Sequence, residues 1–392
     1  MTALPASSSF ATEPPRPPRP PRPDLSARFR RFADEDCPED PLYQALCRLL
    51  AARPALLALM DEAPPEQAQP NLYLAALHAR VMAAPQSALA AYFPSVGGRR
   101  LPDEALAAVL AGFVADHEAA LRSLLRHRAT QTNEIGRCAL LWPALQHLAG
   151  AGGRRRLALF DFGCSAGLNL GVDAYRYRYL GEDGQAVEAG ALADRDAPQI
   201  SCRWQGALPR SEAGFELAFR QGVDLSPLHA AEPEDARWLL ACLWPHDQER
   251  RERLQSALAL ARQRAWPVQA ADDGLARLEA WLDGLPPEVQ PVLFHSWVLY
   301  YFQAADRRRH GQRVERLMAQ RGLWWLSAES LADSDWPADA ALAPRPDGVS
   351  AGSATLWQWR RAGQAPQALA WSHPHGRFAH WLAPAVGAPG AR

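Results

Sequence analysis

Apolar positions fall every third or fourth residue from about Asp24 to Gly150, and then the rhythm changes. "PLYQALCRLLAARPALLALM", "NLYLAALHARVMA", "DEALAAVLAGFVADHEAALRSLLRHRA" and "EIGRCALLWPALQHLA" are spaced as amphipathic helices. "DEAPPEQAQP" and "FPSVGGRRLPD" supply turn chemistry between them, and nothing here alternates as a strand would. After Gly152 short apolar runs alternate with helical ones. The runs "RLALFDF", "FRQGVDL", "WPVQAAD", "PVLFHSW", "GLWWLSAE", "ATLWQWRR" and "QALAWSHP" read as strands. Between them, "EDARWLLACLW", "DQERRERLQSALALARQ", "GLARLEAWLDGL" and "DRRRHGQRVERLMAQRG" read as helices. This alternation predicts an α/β fold with a mostly parallel, doubly wound sheet covered on both faces. "YRYRYLGEDG" and "ISCRWQG" are expected to interrupt it as a hairpin insertion over about 176–218.

The pattern divides the chain into a Pro/Arg-rich arm (1–24), a helical N-terminal domain or lid (25–150) and an α/β domain (151–384). The arm carries "PPRPPRPPRP", which supports neither helix nor sheet ladder and is expected to be extended or disordered. A formal net charge of −1 argues against nucleic acid held by bulk charge and leaves a small molecule as the expected partner. The Trp-rich stretches "GLWWL", "LWQWRR" and "HWLAP", with no basic face beside them, read as packing. Apolar runs are broken well before the length of a membrane span, and no basic start leads into an apolar leader. A cytoplasmic protein is therefore expected, and six cysteines without paired spacing fit reduced thiols. Lysine is absent, which excludes a P-loop lysine and Schiff-base chemistry.

Chemistry concentrates in "LALFDFGCSAGLNL", residues 157–170. Gly163-Cys164-Ser165-Ala166-Gly167 fits the G-x-S-x-G turn of serine hydrolases. It also fits a glycine loop that brings backbone, and the N-terminus of a following helix, close to a nucleotide-like cofactor. A hydrolase would place several strands before its nucleophile and an oxyanion loop upstream. Here only helices precede, so the cofactor loop is the preferred reading. Successive strand ends then offer acids in order. Asp224 could accept from ribose hydroxyls (with Glu182 or Asp183 as alternatives), and Asp272 or Asp273 from an adenine amino group. The next strand ends at His295, Ser296 and Trp297. "TNEIGR" places Thr132 as a helix cap and Asn133, Glu134 and Arg137 as substrate contacts. "HPHGRF" brings His373 and His375 together without a carboxylate or Cys at ligand spacing, so no metal is assigned and proton handling is preferred.

This succession resembles class I S-adenosylmethionine-dependent methyltransferases over roughly residues 155–375, with serine where such enzymes usually carry the middle glycine. The resemblance implies a Rossmann-like sheet with S-adenosylmethionine as cofactor. Asp161, Gly163, Ser165, Gly167, Asn169, Asp224 and Asp272 would hold it, and His295, Tyr300 and His375 would be the catalytic candidates. Over nearly the whole chain, "QTNEIGRCALLWPAL", "GCSAGLNL", "RQGVDLSPL", "LWPHDQERRERL", "HSWVLYY" and "HPHGRF" resemble a bacterial family classed only as a domain of unknown function. That family is placed beside the methyltransferase-like Rossmann folds.

Overall fold

A computed structural model describes residues 24–37, 39–131, 133–207, 214–334, 336–337, 342–346 and 354–383. Residues 1–23 of the proline-rich arm and the cap expected at Thr132 lie outside these. The N-terminal helices are α1 (Leu25–Glu35), α2 (Pro41–Ala51), α3 (Pro54–Leu57), α4 (Pro70–Ala83), α5 (Leu106–Asp116), α6 (Glu118–His127) and α7 (Cys138–Gly152). Local chemistry sets their starts. Asp24 and Asp40 accept from Ala27 N and Tyr43 N, and Pro41, Pro54 and Pro70 stand in first turns. Pro54 also ends the expected continuous helix over 41–60, because a new helix begins there. Among the described residues no single helix is long and apolar enough to cross a membrane.

The described residues contain one eleven-stranded sheet. Its strands are β1 (Arg156–Phe162), β2 (Arg176–Gly181), β3 (Ala186–Gly190), β4 (Gln199–Gln205), β5 (Glu216–Asp224), β6 (Val268–Ala270), β7 (Gln290–Ser296), β8 (Trp324–Ser330), β9 (Thr355–Arg360), β10 (Gln367–Ser372) and β11 (Phe378–Trp381). Their order is β3-β2-β4-β11-β10-β9-β8-β7-β1-β5-β6. No described strand precedes β1. From β6 to β8 all neighbours run parallel. Crossovers carry α8 (Pro233–Ala241), α9 (Gln248–Arg264), α10 (Gly274–Asp283) and α11 (Ala304–Arg321). The chain builds outward from β1 through β5 to β6, then returns to the other side of β1 for β7 and β8. The winding therefore reverses between β1 and β7, whose outgoing loops lie at the carboxyl edge, the position at which doubly wound sheets take ligands.

The insertion differs from the expected hairpin. "YRYRYL" and "ISCRWQ" do pair, but in parallel, as β2 and β4. The antiparallel partner of β2 is β3, reached through the tight turn at Glu182–Gln185, and a crossover through residues 191–198 is what allows β4 to run parallel. β4 then pairs with β11, so the insertion extends the main sheet.

Strands buried on both faces read as near-continuous apolar runs, and all seven residues of β8 are buried. Trp324, Trp325, Trp357 and Trp359 are buried in the sheet, with Phe294 stacked on Trp357 at 5.8 Å between ring centroids. One buried apolar cluster runs from Phe29 in α1 to Ala383 and joins the helices to the sheet.

Candidate active site at the carboxyl edge

β1 ends in a tight left-handed turn. Gly163, Ser165 and Gly167 have φ of +75°, +53° and +68°. At Gly163 a Cβ would meet Val298 Cγ2 at 2.4 Å, so glycine is required by close packing as well as by φ. Asp224 fixes the turn from the end of β5. Its Oδ2 accepts from Ser165 N at 2.8 Å and its Oδ1 from Ser226 N at 2.9 Å. The segment before α7 closes on the same loop. Ser165 Oγ donates to Gln131 Oε1, Gln131 Nε2 donates to Ser226 O, and Asn133 Nδ2 donates to Cys164 O. The chain leaves the loop as a 3-10 stretch (Leu168–Ala174), so the α-helix N-terminus expected here is not formed.

Asp161 lies beneath the loop, buried, and accepts from Asn169 Nδ2 at 3.3 Å. Burial, helped by Asp224, pushes its carboxyl up to about 7 against the pull of Asn169 and Arg137. A raised carboxyl binds its proton more tightly in the folded state. Stability is therefore full near pH 4, falls as pH rises towards 7 and is flat above. Asp161→Asn should erase that slope and stabilise the protein at pH 8 by on the order of 1–3 kcal/mol. Urea titrations between pH 4 and 8 measure this, and an unchanged slope in the variant refutes it.

Glu134 anchors a second cluster. It is buried, accepts from Gly136 N at 2.8 Å, and pairs with Arg250 Nε at 2.6 Å and Arg253 Nη2 at 3.2 Å. Burial alone would raise its carboxyl, but the two guanidiniums, with His375 and the Gly136 amide, outweigh it and hold it down to about 2. Arg137, on the next turn, donates from Nε to Pro374 O at 2.8 Å and from Nη1 to Ser296 O at 3.3 Å. "TNEIGR", "HPHGRF" and the end of β7 are thus tied together. Burial first, then Arg250, lowers His375 to about 3, so its imidazole is neutral at pH 7.

His295 takes a different place from the one expected. It is fully buried, with Nδ1 2.7 Å from Glu329 Oε1, and its Nε2 accepts from Trp325 Nε1 at 2.8 Å. With Nε2 accepting, Nδ1 carries the proton and donates to Glu329. Both ring nitrogens are occupied away from solvent, so His295 cannot receive a proton from a substrate. Its role is to hold Glu329, which also accepts from Val298 N and so positions the β7 loop over Gly163.

Beyond that loop Tyr300 and Tyr301 are 65 % and 69 % exposed. Burial raises the Tyr301 hydroxyl above its ordinary pKa, and Arg137, Asp224 and Glu329 are among the charges that act on it.

A comparison with known families decides the chain's membership. The pattern of a family described as an uncharacterized protein conserved in bacteria, DUF2332, matches residues 26–381. The chain belongs to DUF2332. No curated protein and no solved structure matches it.

In this DUF2332 chain Asp161, Gly163, Ser165, Gly167, Asn169, Asp224 and Asn133 gather around one loop, with Glu134, Arg137 and His375 beside them. Asp272 is exposed on the rim next to Asp224, whose carbonyl accepts from Ala271 N. Asp273 is committed to capping α10 and to Arg313. Glu182 and Asp183 sit in the β2–β3 turn at the far edge of the sheet, which removes them as ribose acids. Gln131, Arg250, Arg253 and Glu329 were not legible as site residues. Glu329 left one signal, the single charged residue in a strand whose other polar residues are two serines. A cavity of about 460 Å³ lined by Asp173, Arg220, Arg264 and Trp266, among others, lies elsewhere, where the chain enters β6. It contains none of the expected residues.

Proposed function

We propose that this DUF2332 chain binds S-adenosylmethionine at the carboxyl edge of its parallel strands and transfers the methyl group to a small molecule. The strand order β6-β5-β1-β7-β8 carries the reading. It puts the left-handed Gly163–Gly167 turn where the winding reverses, the place where doubly wound sheets take nucleotide-like ligands.

The donor set fits the cofactor. Each Asp224 oxygen accepts one amide and keeps a lone pair, so the carboxylate suits ribose hydroxyls. Asp161 and Asn169 would hold the amino group of the methionine end, and the rim at Asp272 the adenine. When bound, S-adenosylmethionine supplies an electrophilic methyl on a sulfonium centre. The chain's own residues contribute alignment for an in-line displacement. Val298, held by Glu329, keeps the β7 loop against Gly163, and Tyr300 and Tyr301 wall the acceptor side. His375, neutral and with a low pKa, serves as a hydrogen-bond partner and not as a proton store.

Calorimetry with S-adenosylmethionine and S-adenosylhomocysteine tests the proposal. Both should give heat, and Asp224→Ala should weaken both at least tenfold, since it removes the ribose acceptor and releases the Ser165 amide. No heat with either ligand on folded wild-type protein contradicts it. Binding without transfer to any acceptor would identify a ligand-binding protein that keeps the fold.

A second reading, a hydrolase with Ser165 as nucleophile, draws on the left-handed φ of that serine. Against it, Ser165 Oγ donates to an amide and not to an imidazole. Fluorophosphonate labelling of wild type but not of Ser165→Ala would support it.

A further inference from the structure

We propose that Arg137 is an oxyanion clamp, and that the molecule bound at the carboxyl edge presents a carboxylate or phosphate-type group to it. Three arginines meet here, and two are neutralised: Arg250 and Arg253 both pair with Glu134. Arg137 is only 9 % exposed, yet its hydrogen bonds go to two uncharged carbonyls, Pro374 O and Ser296 O. Glu134, one turn earlier, spends its oxygens on the other two arginines and the Gly136 amide. Among the described residues no carboxylate forms an ion pair with Arg137.

Glu134 and Glu329 act on Arg137 only at a distance, since Glu134 is paired with Arg250 and Arg253 and Glu329 holds His295 and Val298 N. A buried guanidinium with no directly paired counter-ion gains when an anion arrives. Arg137 has five N–H groups, of which two are used. The remaining three include Nη2, and the planar fork matches a carboxylate or phosphate. Pro374 O and Ser296 O hold the guanidinium from two sides, so it is already oriented before ligand arrives.

Two sources offer this chemistry, the methionine carboxylate of the cofactor and an acidic acceptor. The clamp deepens the methyltransferase reading and rests on it only for the first source.

The test starts with thermal melts of the wild type in inorganic phosphate, at ionic strength fixed with chloride. Phosphate should raise the midpoint saturably. Arg137→Gln should weaken the response at least tenfold, and Arg137→Lys, which keeps the charge but loses the fork, should fall between. Should Arg137→Gln fail to fold, Arg137→Lys carries the comparison. Calorimetry with S-adenosylmethionine and 5′-methylthioadenosine, which lacks the carboxylate, then separates the sources. Loss for the first ligand alone assigns the clamp to the cofactor. Unchanged affinity for both, with the phosphate response gone, assigns it to the acceptor. An Arg137-dependent phosphate response in a protein that binds neither nucleoside keeps the clamp and rejects the cofactor reading. No saturable phosphate effect in the wild type, or the same effect in both variants, overturns the proposal.

Discussion

Glu134→Gln is expected to destabilise the protein by about 3–5 kcal/mol at pH 7. The amide can still accept from Gly136 N, but it cannot neutralise Arg250 and Arg253, whose side chains are each 9 % exposed. Asp247 at 3.9 Å and the exposed Glu249 compensate only in part. The pH dependence has a definite sign. Glu134 has a folded pKa of about 2, below its ordinary value of 4.5, so its stabilisation is full above pH 4.5 and is lost as pH falls through 2. The gap between variant and wild type should therefore be widest at neutral pH and close towards pH 2. Denaturant melts at pH 7, 4 and 2.5 measure it. A gap below 1 kcal/mol at pH 7 would mean that the cluster is not a structural hub.

Gly376→Ala is the second large effect, expected at about 2–4 kcal/mol. Gly376 has φ +68°, and a Cβ there would sit 2.0 Å from Gly136 O and 2.4 Å from Gly136 C. Both walls are backbone, so no side chain can swing aside. The clash falls on the joint where Arg137 reaches Pro374 O, so affinity for S-adenosylhomocysteine should fall together with stability. Gly363→Ala is the control. Its φ is +70° with nothing within 4 Å of the added methyl, so the cost should stay near 1 kcal/mol. Equal losses in the two variants would show that backbone conformation, and not the Gly136–Gly376 contact, dominates.

Both substitutions lie in stretches that stand out in the sequence, yet their contact does not. Local periodicity is enough to find β1 and β5 to β10, because each run is apolar, short and bounded by turn residues. β11 is four residues long and hidden behind "HPHGRF", and β3 is five residues of mostly small side chains, so neither has a strand signature. The pairing of β4 with β11 joins residues more than 170 positions apart in sequence, a register that no local pattern encodes. The site divides the same way. Gly163, Ser165 and Gly167 announce a turn by residue type, whereas Arg250 and Arg253 are two of many arginines in their helix until Glu134 is placed between them. His295 was legible as a residue at a strand end but not in its role. Only the Trp325 indole and the Glu329 carboxylate, supplied by the neighbouring strand, show both its nitrogens occupied.

Hydrogen–deuterium exchange with and without S-adenosylhomocysteine tests the location of the ligand most directly. Slowed exchange is expected at residues 163–170, 224–228 and 297–302, the segments that leave β1, β5 and β7 at the carboxyl edge. Protection centred instead on Asp173, Arg220 and Trp266, around the cavity at the entry to β6, or no protection anywhere at saturating ligand, would contradict a cofactor site at that edge.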